Sequence, residues 1–329
     1  MTPRNDKQDE RARLSAAYRR FAADEARGRS PLYEELARGV AADSEILDFL
    51  LALPRPKRQP NLLFAAARSL LGTPDGWNRF RRGVTQRKDA LHALMLMRST
   101  QTNEPGRCAA LLPVLARLPQ PLALLEVGAS AGLCLLPDRY GYDYGEGRLM
   151  SARRDVEPPI FPCAVNAATP IPEALPSIAW RAGLDLEPVD IADRNQVAWL
   201  ETLVWPEQTD RLTRLRAALD IAATDKPRLV EGDLRRDLTR LANEMPRDAT
   251  RVIFHTAVLT YVGPTERAEF ARSVTSFCDV WIANEAPQVF PDIAARAGTP
   301  GPRGQFLLAA NGQPLAWADP HGASLDWIA

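Results

Sequence analysis

The run 122-LALLEV-127, followed by Gly128-Ala129-Ser130-Ala131-Gly132, constrains the fold of this chain more than any other stretch. Six residues that are apolar except for Glu126 leave no polar face for water, which suits a strand buried on both sides of a parallel sheet. The small residues after it permit a tight turn, and the pattern predicts a helix from about Ser130. Strand, glycine turn and helix form the opening unit of an α/β sheet.

Upstream the pattern is helical. Apolar positions recur at three and four in 14-LSAAYRRFAADEA-26, 32-LYEELARGVAADSEILDFLLAL-53, 61-NLLFAAARSLLG-72 and 90-ALHALMLM-97. Asn103 before Glu104-Pro105 reads as the cap of a further helix over 105–118. The polar run 98-RSTQTNEPGR-107 exceeds the needs of a cap, so it is also read as a loop facing a ligand, with Gln101, Thr102, Asn103 and Glu104 as candidates. Two domains are therefore expected, a helical one over 1–118 and an α/β one over 119–329.

Within the second domain, residues 138–177 are rich in Pro, Gly and Tyr and read as an irregular insertion or a set of short irregular strands. Strands are expected from 178 to near Asp185 and at 227–234, 250–258 and 279–286, with helices at 193–205, 207–222 and 265–277. Asn311-Gly312 between apolar stretches marks a terminal hairpin, because both residues accept positive φ.

Four scattered cysteines, without a C-x-x-C pair, support neither a zinc site nor a disulfide framework; no metal is expected. The charged N-terminus lacks a signal-peptide core and no run is long enough to span a bilayer, so a cytoplasmic protein without a membrane partner is expected. Charge is uneven, with 21 basic against 13 acidic residues through position 120 and 20 against 28 beyond it. The stretch 77-WNRFRRGVTQRK-88 admits a nucleic-acid surface, but a solvated helix whose arginines meet the acidic half is favoured.

The glycine turn admits three chemistries. As G-x-S-x-G it would present Ser130 as a hydrolase nucleophile, completed by Asp279 or Asp292 with His321, or by an earlier acid with His255; a Ser130 that follows the first strand disfavours this. As a dinucleotide loop it lacks two of three glycines. As Glu126-Val127-Gly128-Ala129-Ser130-Ala131-Gly132 it resembles the first loop of S-adenosylmethionine-dependent methyltransferases, E/D-x-G-x-G/S-x-G. There the small residues let the backbone approach the cofactor and the acid faces its cationic aminoacyl end.

Later features arrive in the matching order. Gly183-Leu184-Asp185 resembles the second-strand signature, which implies Asp185 on the ribose hydroxyls, with Asp143 or Glu146 as rivals because Asp185 lies far along the chain. Gly232-Asp233-Leu234 resembles the third-strand signature, implying Asp233 at the adenine amino group and the Leu234 amide at the ring. His255 and Thr256 end the fourth strand, with Tyr261 beyond; His255 is the general-base candidate and Thr256 a cofactor contact.

The stretches 100-TQTNEPGRCAALLP-113, 126-EVGASAGL-133, 138-DRYGYDYG-145 and 199-WLETLVWPEQTDRLTRL-215 are similar to the bacterial domain of unknown function 2332 family. That resemblance implies a Rossmann-like methyltransferase domain: a mostly parallel sheet with an antiparallel C-terminal hairpin, behind an all-helical N-terminal domain. S-adenosylmethionine is the expected cofactor, held by Glu126, Gly128, Ser130, Gly132, Asp185, Asp233, Leu234 and Thr256. His255 and Tyr261 would serve a small or medium substrate, which Trp205 and Arg211 could receive. A non-catalytic ligand sensor or scaffold is the alternative, and the oligomeric state is left open.

Overall fold

The computed structural model describes residues 3–101, 103–152 and 157–329, and the chain is an α/β protein. It divides into two compact units, Met1–Thr102 with Arg194–Leu212, and Asn103–Asp193 with Thr213–Ala329. This differs from a single boundary at residue 118. The helix Arg194–Leu203 carries Trp199 into the core of the first unit, whereas the helix Arg107–Leu115 is buried along its whole length in the second.

The first unit is built from helices, among them Pro31–Ala42, Ser44–Leu51, Pro60–Leu71 and Trp77–Gln86. The long helix expected over 32–53 is split at Asp43, whose carboxylate accepts from Glu45 N and Ile46 N at 2.9 and 3.0 Å and so starts a new helix. Tyr18, Phe21, Tyr33, Phe64 and Phe80 form an aromatic core with ring centroids 4.8–6.2 Å apart. In the basic helix, Arg81 pairs with Asp43 and Glu45, and Lys88 pairs with Glu45. These partners lie in the first unit rather than in the acidic second half of the chain.

The second unit carries the sheet. Its strands are β1 (Leu122–Val127), β2 (Gly141–Asp143), β3 (Leu149–Ser151), β4 (Ile160–Pro162), β5 (Ala164–Val165) and β6 (Ile178–Asp185). They continue as β7 (Arg228–Glu231), β8 (Thr250–Thr256), β9 (Val280–Glu285), β10 (Phe306–Ala310), β11 (Gln313–Ala318) and β12 (Ser324–Trp327). Among the described residues, nine strands join in the order β5-β12-β11-β10-β9-β8-β1-β6-β7, and β3-β2-β4 form a small separate sheet. The stretch from β9 to β7 is parallel, while β10 and β11 are an antiparallel hairpin turning at Asn311-Gly312, both with positive φ.

From β1 the chain moves outward to β6 and β7, then returns to place β8 and β9 on the other side of β1. Strand order thus reverses between β1 and β8, and ligands of open α/β sheets bind beyond the carboxyl ends at such a point. Ala123, Leu125 and Val127 pack on Leu238, Leu241, Phe270 and Val274, and the two-residue alternation turns Leu122, Leu124 and Glu126 to the opposite face.

The helix expected from Ser130 does not form. Two 3₁₀ turns, Leu133–Leu135 and Pro137–Arg139, take its place, and Pro137 has no amide hydrogen to carry one α-helix through them. The chain instead enters the small sheet, where Tyr140, Tyr142 and Tyr144 are buried and donate to the carbonyls of Leu133, Pro137 and Ala109 at 2.7–2.9 Å. The described residues of 138–177 thus form the short strands β2 to β5, the second of the two readings of this segment. Among the described residues no helix is long and apolar enough to cross a membrane.

Gly183 in β6 is where the sheet meets the glycine turn: a Cβ there would lie 2.4 Å from the Ala129 Cβ and 2.8 Å from Leu229 Cδ2. Gly183→Ala is therefore expected to destabilise the second unit by about 1–3 kcal/mol, the usual cost of overpacking. Chemical denaturation followed by tryptophan fluorescence checks this; an unchanged midpoint would refute the tight contact.

Candidate functional site

The turn after β1 is held by side chains distant in sequence. Ser130, a non-glycine residue at φ +50°, donates its amide to Asp185 Oδ2 at 2.8 Å. The next amide, of Ala131, donates to Asn103 Oδ1 at 2.8 Å, and Asn103 Nδ2 donates to Ser130 Oγ at 2.9 Å. Asn103 is thus not a helix cap; the helix begins at Arg107 behind Gly106, without a side-chain cap, and the amide serves the turn instead. Ser130 Oγ meets this amide rather than an imidazole, so the geometry assembles no hydrolase triad around it.

Gly128 and Gly132 have φ of +74° and +71°. A Cβ would lie 2.3 Å from Val258 Cγ2 at the first and 2.8 Å from Pro227 Cγ at the second. The close approaches that demand glycine are therefore made by the chain itself. A cavity of about 210 Å³ lies alongside, lined by Ala131, Pro188–Ile191, Lys226, Pro227 and Leu229.

Glu126 at the end of β1 is 3% exposed, and its Oε2 is buried without a hydrogen-bond partner. Burial pushes this carboxyl well above the usual range, with the neighbouring Cys134 and Asp185 adding to the effect and Arg107 opposing it. Arg107 is itself 5% exposed. Its Nη1 donates to Thr256 O and Oγ1 at 3.1 and 3.2 Å and its Nε to Pro320 O at 2.8 Å, and no described carboxylate forms an ion pair with it.

His255 is fully buried on the other face of the sheet, among Phe270, Trp281 and Phe290. Trp281 Nε1, which can only donate, lies 3.0 Å from His255 Nε2, so Nε2 accepts and Nδ1 carries the proton, donating to Glu285 Oε1 at 2.7 Å. Glu285 Oε1 also accepts the amides of Val258 and Leu259 at 2.9 and 3.0 Å. With both ring nitrogens committed, His255 fixes the loop after β8 and offers no lone pair to a substrate, contrary to the general-base expectation. Tyr261 beyond that loop is 76% exposed.

Other expected positions have structural partners of their own. Asp185 uses its second oxygen to accept from Glu187 N at 2.9 Å. Asp233 caps the helix Leu234–Ala242, and the Arg235 guanidinium against it lowers its carboxyl to about 2. Asp143 turns onto Gly145 N in the small sheet, and Glu146 pairs with Arg148 at 3.3 Å. Glu104 is buried and accepts from Gly106 N at 3.0 Å. Gln101, Trp205 and Arg211 belong to the helical unit, and Thr102 lies outside the described residues. There Trp205 packs between Phe21 and Tyr33 and donates to Asn61 Oδ1 at 3.0 Å, and Arg211 donates to Gln208 Oε1 at 2.9 Å, so Trp205 is part of the aromatic core.

Arg107, Asn284 and Glu285 escaped the sequence reading. Asn284 and Glu285 sit at the end of an apolar strand, as Glu126 does, and that shared placement was the available signal.

A model of a family described as uncharacterized proteins conserved in bacteria (DUF2332) matches residues 15–327, and the chain belongs to that family. No curated protein and no solved structure matches it.

A buried acid that resists ionisation opposes folding increasingly as pH rises. Below the unfolded value near 4.5 Glu126 is neutral in both states, and its penalty grows as pH climbs from there toward its raised folded value. Glu126→Gln is therefore expected to raise the melting temperature at pH 8, with the gain vanishing near pH 4. Thermal unfolding at the two pH values measures this, and an equal effect at both would count against a strained acid.

Proposed function

We propose that this member of an uncharacterized bacterial family binds S-adenosylmethionine at the carboxyl ends of β1 and β6 and transfers its methyl group to a small or medium-sized substrate. The observation that carries the reading is Glu126, a buried carboxyl with an unpartnered oxygen, beside a turn with three positive φ angles at the sheet's switch point. A cationic ligand group there would relieve the acid's desolvation, which fits the ammonium of an aminoacyl end. The Rossmann-like methyltransferase fold expected from sequence is part of the same proposal, supported by five parallel strands around β1 followed by antiparallel ones.

When bound, the cofactor would supply an electrophilic methyl group on a sulfonium. Glu126 would hold the ammonium. Asp185 and Asn103 would keep the turn in register for it, and Asp185 retains lone pairs that ribose hydroxyls could share. The cavity beside Ala131, bounded by the loops after β6 and before β7, has room for a planar base. Because His255 is committed to Trp281 and Glu285, acceleration would come from alignment and water exclusion, which suits an acceptor that is already nucleophilic. The same commitment favours a ligand-sensing role as the second reading.

Calorimetric titration with S-adenosylmethionine and S-adenosylhomocysteine tests the proposal. Both are expected to bind, and Glu126→Gln is expected to weaken both by about 1–3 kcal/mol, the cost of losing a charged partner. Methylthioadenosine, which lacks the aminoacyl end, should be indifferent to that substitution. Failure of the folded wild-type protein to bind either ligand would remove the methyl-transfer reading.

A further inference from the structure

We propose that Arg107 and Asn284 form a recognition site for a carboxylate bearing an adjacent hydrogen-bond donor, the chemistry shared by 2-hydroxy and 2-amino acids. The inference does not depend on the methyl-donor reading.

Asn284, near the end of β9, is fully buried, and neither its Nδ2 nor its Oδ1 has a partner. An unsatisfied buried polar group opposes folding, and leucine has a similar size, so packing alone does not explain an asparagine here. Arg107 presents the complementary problem: a permanently charged guanidinium, almost wholly buried, bonded to carbonyl and hydroxyl oxygens but to no described carboxylate.

The two lie together. Thr256 and Asn284 are register partners on the adjacent parallel strands β8 and β9, so their side chains project from the same face roughly 4.8 Å apart. Arg107 bonds Thr256 through both its carbonyl and its hydroxyl. The guanidinium and the free carboxamide therefore flank one strand end.

Their unmet demands define the ligand. The guanidinium and Asn284 Nδ2 need an anionic acceptor, and Asn284 Oδ1 needs a donor. A carboxylate with a hydroxyl or ammonium on the next carbon satisfies all three at once. Fully ionised phosphate would neutralise Arg107 but set an acceptor oxygen against Oδ1. A simple amide would pair with Asn284 and leave the cation buried alone. Glu126 stands two strands from β9, roughly 10 Å across the sheet, so it is a separate anchor.

Saturation-transfer NMR and calorimetry with lactate, L-alanine and their methyl esters test the site. At least one acid is expected to bind, its ester at least tenfold more weakly. Asn284→Leu should lose that binding by tenfold or more while raising the melting temperature, because it removes two orphaned polar atoms. Asn284→Asp, which would pair with Arg107 internally, should also abolish it, and serves if the leucine variant does not fold. S-adenosylhomocysteine separates the sources of the carboxylate: competition with the probe, and weakened binding to Asn284→Leu, assign it to the cofactor's aminoacyl end, whereas simultaneous binding assigns it to an acceptor. The proposal is overturned if acid and ester bind alike or if the variants bind as wild type does. It is equally overturned if neither acid binds while Asn284→Leu leaves the response to S-adenosylhomocysteine unchanged.

Discussion

Two backbone amides, those of Ser130 and Ala131, are fixed by Asp185 Oδ2 and Asn103 Oδ1, and the geometry of the second unit's candidate site depends on that clamp. A turn with positive φ at Gly128, Ser130 and Gly132 is costly for its serine and persists only where surrounding bonds over-determine it. The clamp supplies those bonds from two directions: Asp185 ends the neighbouring strand β6, and Asn103 precedes the helix Arg107–Leu115. Closing the turn in this way brings Val258 against Gly128 and Ala129 against Gly183, and it leaves Glu126 almost without solvent. Burial raises the Glu126 carboxyl, beside a turn held by side-chain acceptors and followed by a 3₁₀ turn rather than an α-helix.

The polar groups at the carboxyl ends of β1, β8 and β9 fall on two faces with opposite character. On one face, Trp281, His255 and Glu285 form a chain in which a donor-only indole sets the imidazole tautomer and the carboxylate collects two loop amides. Apart from Glu285 Oε2 its demands are met internally, as expected of a network that rigidifies a core. On the other face, Glu126, Arg107 and Asn284 are equally buried, yet each lacks the partner its chemistry calls for. Burial is common to both faces; what distinguishes them is the satisfaction of hydrogen bonds.

Much of the sheet was legible because its signals are local. The strand β1, apolar but for Glu126, the strands at 178, 250 and 279, and the Asn311-Gly312 hairpin follow from continuous apolar runs and turn chemistry. The helix after Gly132 was misread because the apolar run 133-LCLL-136 has the same appearance in a helix and in a buried 3₁₀ turn, and Pro137 decides between them. The units were misdrawn because sequence does not reveal which core receives Trp199. In the site, Glu126 and the glycine turn were legible from strand-end placement, but His255 was not. Its role depends on the β8–β9 register, which sets Ala283 beside it and brings Trp281 and Glu285 to its two nitrogens. Asn103 was misassigned for a similar reason, since its partners lie 27 and 28 residues away.

The Asp233–Arg235 pair shows what an internally completed site looks like in the same sheet. Its carboxylate caps a helix, takes the guanidinium two residues on, and is held ionised down to about pH 2. Glu126 and Arg107 are close enough for the cation to oppose the acid's neutralisation, yet no ion pair joins them and desolvation prevails. Had they closed on each other, each would have met the other's demand, as Asp233 and Arg235 do. Arg107 is tied instead to Thr256 and Pro320, and Glu126 keeps a buried oxygen with no hydrogen-bond partner.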